Sequence, residues 1–332
     1  MTPILTVGIT SYKRINELVR CINSIQTKYS NEIEILVSED KSPLSHEIEE
    51  TVKNIKSNYT LKFTSNEVNL GYDMNLGEII KKANGKYILY MSDDDAVYDG
   101  FLDILIPFLQ KENEVGVLYG PFIYTETGHK DRVRSSKDFR IPASEQNAAK
   151  YIYDSILFSG LIFRKDFIRD FDSSRFKNHN YFQVYLFLQM LLKHGGYYFS
   201  TPSVLCIGDG ENAYGLSESS GGNPLLANRK SVKSNLEFNK SLIKVIKMFD
   251  EDEKTKILDS FAIKYSIHTI SGLSIAREEG LEYFKEYWQT LNALDIHLYP
   301  IVKIYYLLLL LFGSKMTNKI LYVFRKITKK EH

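Results

Sequence analysis

The chain has 332 residues with 42 basic and 41 acidic side chains, so its net charge of +1 gives no support to a nucleic-acid binder, which is normally clearly basic. Apolar residues make up 44% and charged residues 25%, the balance of a folded protein of about two domains. Its two cysteines, Cys21 and Cys206, exclude a disulfide scaffold and a four-cysteine zinc site.

Ile4 to Ile9 predicts a buried strand, and Ile15, Leu18, Val19, Ile22 and Ile25 follow at helical spacing. Glu34 to Val37 predicts a second strand, ending in Ser38, Glu39 and Asp40, and Ile48, Val52 and Ile55 predict a second helix. Leu61 to Thr64 reads as a third strand. Leu76, Ile79, Ile80 and Ala83 form a helical stripe that stops at Asn84 and Gly85. Tyr87 to Met91 is a fourth strand, which runs into Ser92, Asp93, Asp94 and Asp95. Phe101, Leu102, Leu105, Ile106 and Leu109 mark the next helix, and Val115 to Tyr119 a fifth strand. This alternation predicts an α/β fold, a mostly parallel sheet with helices on both faces. Ligands of such sheets bind beyond the carboxyl ends of the strands, where Thr10 to Tyr12, Glu39 and Asp40, and the aspartate run fall.

Beyond residue 120 the pattern weakens. Thr125 to Ser136 is polar and reads as a loop, Leu157 to Phe163 as a strand, and Tyr181 to Leu192 as an apolar helix closed by Gly195 and Gly196. Val204 to Ile207 is a short strand. Gly208 to Asn223 is rich in Gly and Ser and long for an idle loop, which predicts a functional lid or a disordered stretch. After Leu225 the chain is expected to be helical. Met1 to Thr10 has no basic start, and Lys13 and Arg14 precede any long apolar run, so no signal peptide and a cytoplasmic location are expected.

Three consecutive aspartates at the end of a buried strand repel one another, and a hard divalent cation relieves that repulsion. Mg²⁺ or Mn²⁺ bound by one or two carboxylates and substrate phosphates implies diphosphate chemistry. A solvated acidic turn capping the helix near Asp99 is the alternative. Neither GxGxxG nor GxxxxGK[ST] is present, so a nucleotide site must use other parts.

These residues carry a resemblance. Leu5 to Arg14, Val37 to Asp40, Asn69 to Asn75, and Ala83 to Asp95 resemble, in order and spacing, the opening segments of family 2 glycosyltransferases with the GT-A fold, of the bacterial surface-polysaccharide type. The resemblance covers residues 4–110, weakens over 150–205 and is absent beyond 225. It implies that Thr10 and Tyr12 line a base pocket, Asp40 accepts a hydrogen bond from the base, and Gly71 and Asn75 lie beside the nucleotide. It further implies Arg14 near a phosphate, Asp93 on ribose or sugar, and the metal on Asp94, with Asp95 as the alternative. The implied activity is inverting, metal-dependent sugar transfer. UDP is the favoured donor nucleotide, with dTDP and CDP left open because Asp40 could bond other pyrimidines.

Two departures stand out. Ser92 occupies a position where the family usually has Asp, leaving the register of the triplet open by one residue. Asp73 and Met74 stand where an arginine often precedes the Asn75 position.

One displacement with inversion requires a base for the acceptor hydroxyl. The family's usual Glu-Asp pair is replaced here by Gln183 and Val184, neither of which can take a proton. His179 and Asp209 are the candidate bases, with Gln183 as an acceptor-binding group; Asp154, Asp172 and Glu211 are further candidates.

Leu298 to Phe312, with five leucines from Leu307 to Leu311, spans roughly 22 Å at 1.5 Å per residue, short of a bilayer core of about 30 Å. Lys315, Lys319, Arg325, Lys326, Lys329 and Lys330 follow, opposed by Glu331. That order suits a peripheral contact with the inner face of an anionic membrane, with a buried helix or an oligomer contact as the alternative. The expected organisation is a catalytic domain over 1–224, nucleotide-binding to about 120 and acceptor-binding beyond, and a helical region over 225–332. The expected acceptor is a glycan or a lipid-linked glycan. A nucleotidyltransferase and a non-catalytic nucleotide-binding assembly subunit are the rival readings.

Overall fold

The structure is a computed structural model and describes residues 2–168, 172–209 and 232–328. Strands β1 (Leu5–Ser11), β2 (Ile33–Glu39), β3 (Thr60–Ser65) and β4 (Tyr87–Ser92) alternate with helices α1 (Ile15–Ser24), α2 (Ser45–Asn54), α3 (Tyr72–Lys82) and α4 (Phe101–Lys111), as the apolar periodicities require. The middle of the chain adds short strands β5 (Ala96–Val97), β6 (Val117–Tyr119), β7 (Phe122–Tyr124), β8 (Lys130–Asp131), β9 (Phe139–Ile141), β10 (Ile162–Arg164), β11 (Gly196–Tyr198) and β12 (Val204–Cys206). Between them lie α5 (Glu145–Tyr151) and α6 (Phe182–Lys193). Four helices follow: α7 (Val232–Glu253), α8 (Ile257–Glu279), α9 (Leu281–Ala293) and α10 (Pro300–Thr328).

Among the described residues, the main sheet runs β3-β2-β1-β4-β10-β6-β11-β9, and a smaller sheet runs β5-β12-β7-β8. Strands β1 to β4 are parallel, while β10 is antiparallel to both β4 and β6. The chain builds outward from β1 to β3 and then crosses back to place β4 on the other side of β1. Open sheets hold ligands at such a reversal, because the connections diverge and leave a crevice. Thr10 pairs with Ser38 on one side and Ser92 on the other, so the three predicted polar clusters meet there.

Each face of the sheet carries its own core. One packs Leu18, Cys21, Ile22, Ile48, Val52, Leu102 and Leu105 from α1, α2 and α4. The other joins Leu76 and Ile79 of α3 to Val184 and Leu188 of α6, and continues into Val245 and Phe249 of α7, Phe261 of α8 and Phe284 of α9. The C-terminal helices therefore complete the core beneath α6.

Differences from the sequence reading fall where elements are short. The expected strands at 115 and 157 begin at Val117 and Ile162. The polar stretch from Thr125 to Ser136 contains β8, an exposed edge whose two residues, Lys130 and Asp131, show no apolar alternation. Most of the segment from Gly208 to Asn223, including Glu211, lies outside the described residues, as do Lys329, Lys330 and Glu331.

The tail also differs. Pro300 opens α10, where a first-turn residue has no intrahelical N–H bond to lose, so Leu298 and Tyr299 lie before the helix. Pro300–Tyr322 is long and apolar enough by composition to cross a membrane, with 28% of it buried. A break at Gly313, with φ of 67°, leaves residues 300–312 as the straight run before it. That run covers about 20 Å, again short of a bilayer core.

Candidate active site

The aspartate run leaves β4 as a tight turn, and all three carboxylates are nearly buried. Each is held differently. Asp93 accepts from Arg14 Nη1 at 2.8 Å and from the Tyr12 backbone N–H at 3.3 Å. Asp94 lies 3.1 Å from the same Arg14 nitrogen, and Ser92 Oγ donates to its other oxygen. Asp95 turns away: Oδ2 accepts from Ser159 Oγ at 2.5 Å and Oδ1 from the Ile207 N–H at 3.2 Å.

Burial disfavours charge on these acids. It pushes the Asp93 carboxyl up to about 7, with Asp94 adding repulsion and Arg14 working against both. Burial and Asp94 together push Asp95 up to about 6. Burial opposes the Arg14 charge too, but Asp93 and Asp94 outweigh it and hold its pKa above the ordinary value.

Crowded hard oxygen donors at a strand end fit Mg²⁺ or Mn²⁺ chemically. No three acidic, His or Cys side chains converge into a cage among the described residues. The donor set therefore fits a cation held by one or two carboxylates and completed by substrate phosphates.

A second cluster surrounds Asp40. Its Oδ1 accepts from the Leu70 N–H at 2.8 Å and Asn66 Nδ2 at 2.9 Å, and its Oδ2 from the Gly71 N–H at 2.8 Å. Burial nevertheless raises its pKa above the ordinary value. A carboxylate has further lone pairs, so these bonds fix its orientation without exhausting it as an acceptor. Gly71 adopts φ of 83°, which lets its N–H reach Asp40 as the chain enters α3 and strains any residue with a Cβ there. Asn75 staples α3 to the end of β2: its Nδ2 donates to the Ser38 carbonyl at 3.0 Å and its Oδ1 accepts from Ser38 Oγ at 2.7 Å. Lys13 and Lys41, one residue beyond the strand-end groups Tyr12 and Asp40, both have left-handed φ values, 67° and 51°. Such backbone costs free energy and collects at ligand sites.

Of the candidate bases, Asp209 is the one tied to the aspartate turn. Arg20 donates to both of its oxygens at 2.6 and 2.8 Å, and to the Asp94 carbonyl at 3.2 Å. The Arg20 hydrogen bond holds the Asp209 carboxyl below its ordinary value, so it is ionised at neutral pH. His179 sits elsewhere, with Nδ1 2.9 Å from the Lys177 carbonyl. Gln183 is 1% exposed, and its amide accepts from Tyr72 Oη at 3.1 Å and donates to the Ile156 carbonyl at 3.0 Å. Those contacts make it a strut between α3 and the acceptor half. Asp154 is fully buried on Arg134 and Tyr119, and Asp172 caps a turn through the Ser174 N–H at 2.9 Å.

Sequence reasoning missed Arg20, Ser159 and Tyr72. Each acts across 64 residues of chain or more, so no local pattern marks it. Asp73 was legible only as a departure from the family pattern. In the structure it accepts the N–H groups of Asn180 at 2.7 Å and of His179 and Phe182 at 3.0 Å, closing the start of α6 onto α3.

A GT-A-type sheet with acids at its reversal point defines a nucleotide-sugar transferase class. Residues 6–171, half of the chain, match the family described as Glycosyl transferase family 2, and the chain belongs to that family. It is similar to abequosyltransferase RfbV of Salmonella typhimurium, 25% identical over 228 residues, covering 63% of this chain and 68% of that protein. It is also similar to the GalNAc(5)-diNAcBac-PP-undecaprenol beta-1,3-glucosyltransferase of Campylobacter jejuni, 28% identical over 138 residues, 41% of this chain and 43% of that one. The fold matches S. aureus TarS 1-349 with a TM-score of 0.53 at 18% identity, over 91% of this chain and 90% of that one. TarS 1-349 in complex with UDP matches at 0.52 and 16% identity, with the same coverage.

Asp73 offers a test of how the halves are joined. Leaving three N–H groups without their acceptor costs about 1–3 kcal/mol each, so Asp73→Ala should lose at least about 3 kcal/mol in urea unfolding. Asp73→Asn keeps an acceptor and should lose less. Burial raises the Asp73 carboxyl from 3.8 to about 6. Its titration therefore favours the folded state at low pH, and this advantage is lost as pH rises through about 6. The stability of Asp73→Asn should fall less than that of the wild type over that interval; an equal fall would refute the burial argument.

Proposed function

We propose that the chain is a metal-dependent, inverting glycosyltransferase of bacterial surface-polysaccharide synthesis. It would move a sugar from a UDP-sugar to a hydroxyl of a glycan or lipid-linked glycan. The observation that carries this reading is the meeting of Arg14 with Asp93 and Asp94 where the sheet order reverses. The Campylobacter relative, named for transfer onto a GalNAc(5)-diNAcBac-PP-undecaprenol, supports such an acceptor, and the UDP complex of TarS supports the donor class. The catalytic domain of this reading covers 1–224 and the helical region 225–332.

In this reading Thr10, Tyr12, Asp40, Gly71 and Asn75 shape the nucleoside side, with the Tyr12 ring against the pyrimidine. Arg14 meets a phosphate and Asp93 the ribose or sugar. Asp94 is favoured over Asp95 as metal ligand, because Asp95 turns away onto Ser159 and the Ile207 N–H while Asp94 stays on the Arg14 that also holds Asp93. A bound Mg²⁺ or Mn²⁺ would neutralise charge on the diphosphate leaving group. Asp209 takes the acceptor proton, as the candidate carboxylate that Arg20 ties to the Asp94 turn, once the acceptor displaces part of the Arg20 pair. Lys315 and Lys319 lie on α10 with the exposed side chains of Leu307, Leu311, Phe312 and Met316, which suits the surface of an anionic membrane.

Three measurements test these assignments. UDP with Mn²⁺ should raise the melting temperature by mass action, more than dTDP, CDP or GDP and more than UDP alone. Asp94→Asn should abolish that shift and leave the metal-free melting temperature nearly unchanged; an undiminished shift removes Asp94 as the ligand. Asp209→Asn should slow transfer by about 10²–10⁴-fold with UDP binding intact, while His179→Ala leaves the rate unchanged. The opposite pattern would make His179 the base. Sedimentation with phosphatidylglycerol vesicles should occur at low salt and be lost in Leu311→Glu; binding indifferent to that substitution places the contact elsewhere.

A further inference from the structure

A cavity of about 540 Å³ opens on the acceptor half, within the usual range for small-molecule sites. Its walls come from β7, from the segments at 131–134 and 153–157, and from His268 of α8. Three rings line it, Phe122, Tyr124 and Tyr153, and its charges balance: Arg132 and Arg134 face Asp131 and Asp154. Arg134 Nε donates to Asp154 Oδ2 at 2.9 Å. Arg132 is 3% exposed, lies over the Phe122 ring at 4.9 Å, and donates to backbone carbonyls. His268 and Tyr124 remain exposed at the cavity.

The cavity is wired to the aspartate turn through one residue. The Ser159 carbonyl accepts from Arg132 Nη1 at 3.3 Å, while the Ser159 hydroxyl donates to Asp95. The neighbouring wall at Ile156 is held by Gln183. A wall that fixes both the cavity and the metal-ligand turn sets their separation.

We infer that this cavity binds a pyranose ring of the acceptor glycan. An anion would need a net positive wall, and the charges here cancel. An apolar ligand would strip water from the exposed Asp131, Arg134 and His268 without replacing its bonds, at a cost in free energy. A sugar satisfies both halves of the lining: its C–H face lies on the tyrosine rings, and its hydroxyls bond the exposed Asp131, Arg134 and His268 side chains. His268 belongs to the C-terminal helices, so those helices supply acceptor specificity as well as core. This inference rests on the glycosyltransferase reading, and its test is made without nucleotide so that the two can fail separately.

Saturation-transfer NMR on the full chain, with methyl glycosides of the common hexoses, 6-deoxyhexoses and N-acetylhexosamines, should find at least one that binds. Tyr124→Ala and His268→Ala alter exposed side chains, so their folding risk is small. Each should weaken that glycoside at least fivefold while the melting shift with UDP and Mn²⁺ stays as in the wild type. A glycoside held equally by both variants would place the acceptor elsewhere and overturn the inference. So would binding of inorganic pyrophosphate, lost in His268→Ala, with no glycoside bound. Glycoside binding that needs Tyr124 and His268 in a chain showing no nucleotide shift would keep the cavity and refute the donor reading.

Discussion

Three carboxylates cannot share one strand end without compensation, and the surrounding structure is arranged to supply it. Arg14 serves Asp93 and Asp94 from the turn after β1, Ser159 restrains Asp95 from the acceptor half, and Arg20 grips the Asp94 carbonyl from α1. Electrostatic repulsion therefore draws together segments that are far apart in sequence. Burial, with repulsion from Asp94, still holds the Asp93 and Asp95 carboxyls above the ordinary carboxylate range.

The scaffold that holds this arrangement is a reversed parallel sheet covered on both faces. Reversal opens the crevice, and the polar ends of β1, β2 and β4 fall into it because those strands are neighbours. Asp73 ties α3 to the start of α6 through backbone N–H groups, a bond that a side chain of the family's more usual arginine could not make. Gln183, buried beside it, fits the same logic: an uncharged amide bridges Tyr72 and Ile156 where a buried carboxylate would need a compensating partner.

The C-terminal helices carry two different surfaces. One side completes the core beneath α6 and brings His268 to the acceptor-side cavity. Another exposes the leucine-rich stretch of α10.

Much of the nucleotide-binding half was legible in the sequence. The apolar runs of β1, β2 and β4 and the stripes of α1, α3 and α4 are long enough for periodicity to register, and the aspartates announce themselves by chemistry alone. Asp40 and Asn75 were legible through the order of motifs in a known family. What the sequence determined by itself is thus the α/β class, the strand-end position of the acids and the family. Tertiary structure alone decided which aspartate faces Arg14 and which faces Ser159, since that depends on a contact across 64 residues. It also decided that Asp209 lies by the acids and His179 does not, and that His268 lines a cavity with Arg134. Those relations are set by long-range packing and charge pairing, which leave no period and no local motif in the chain.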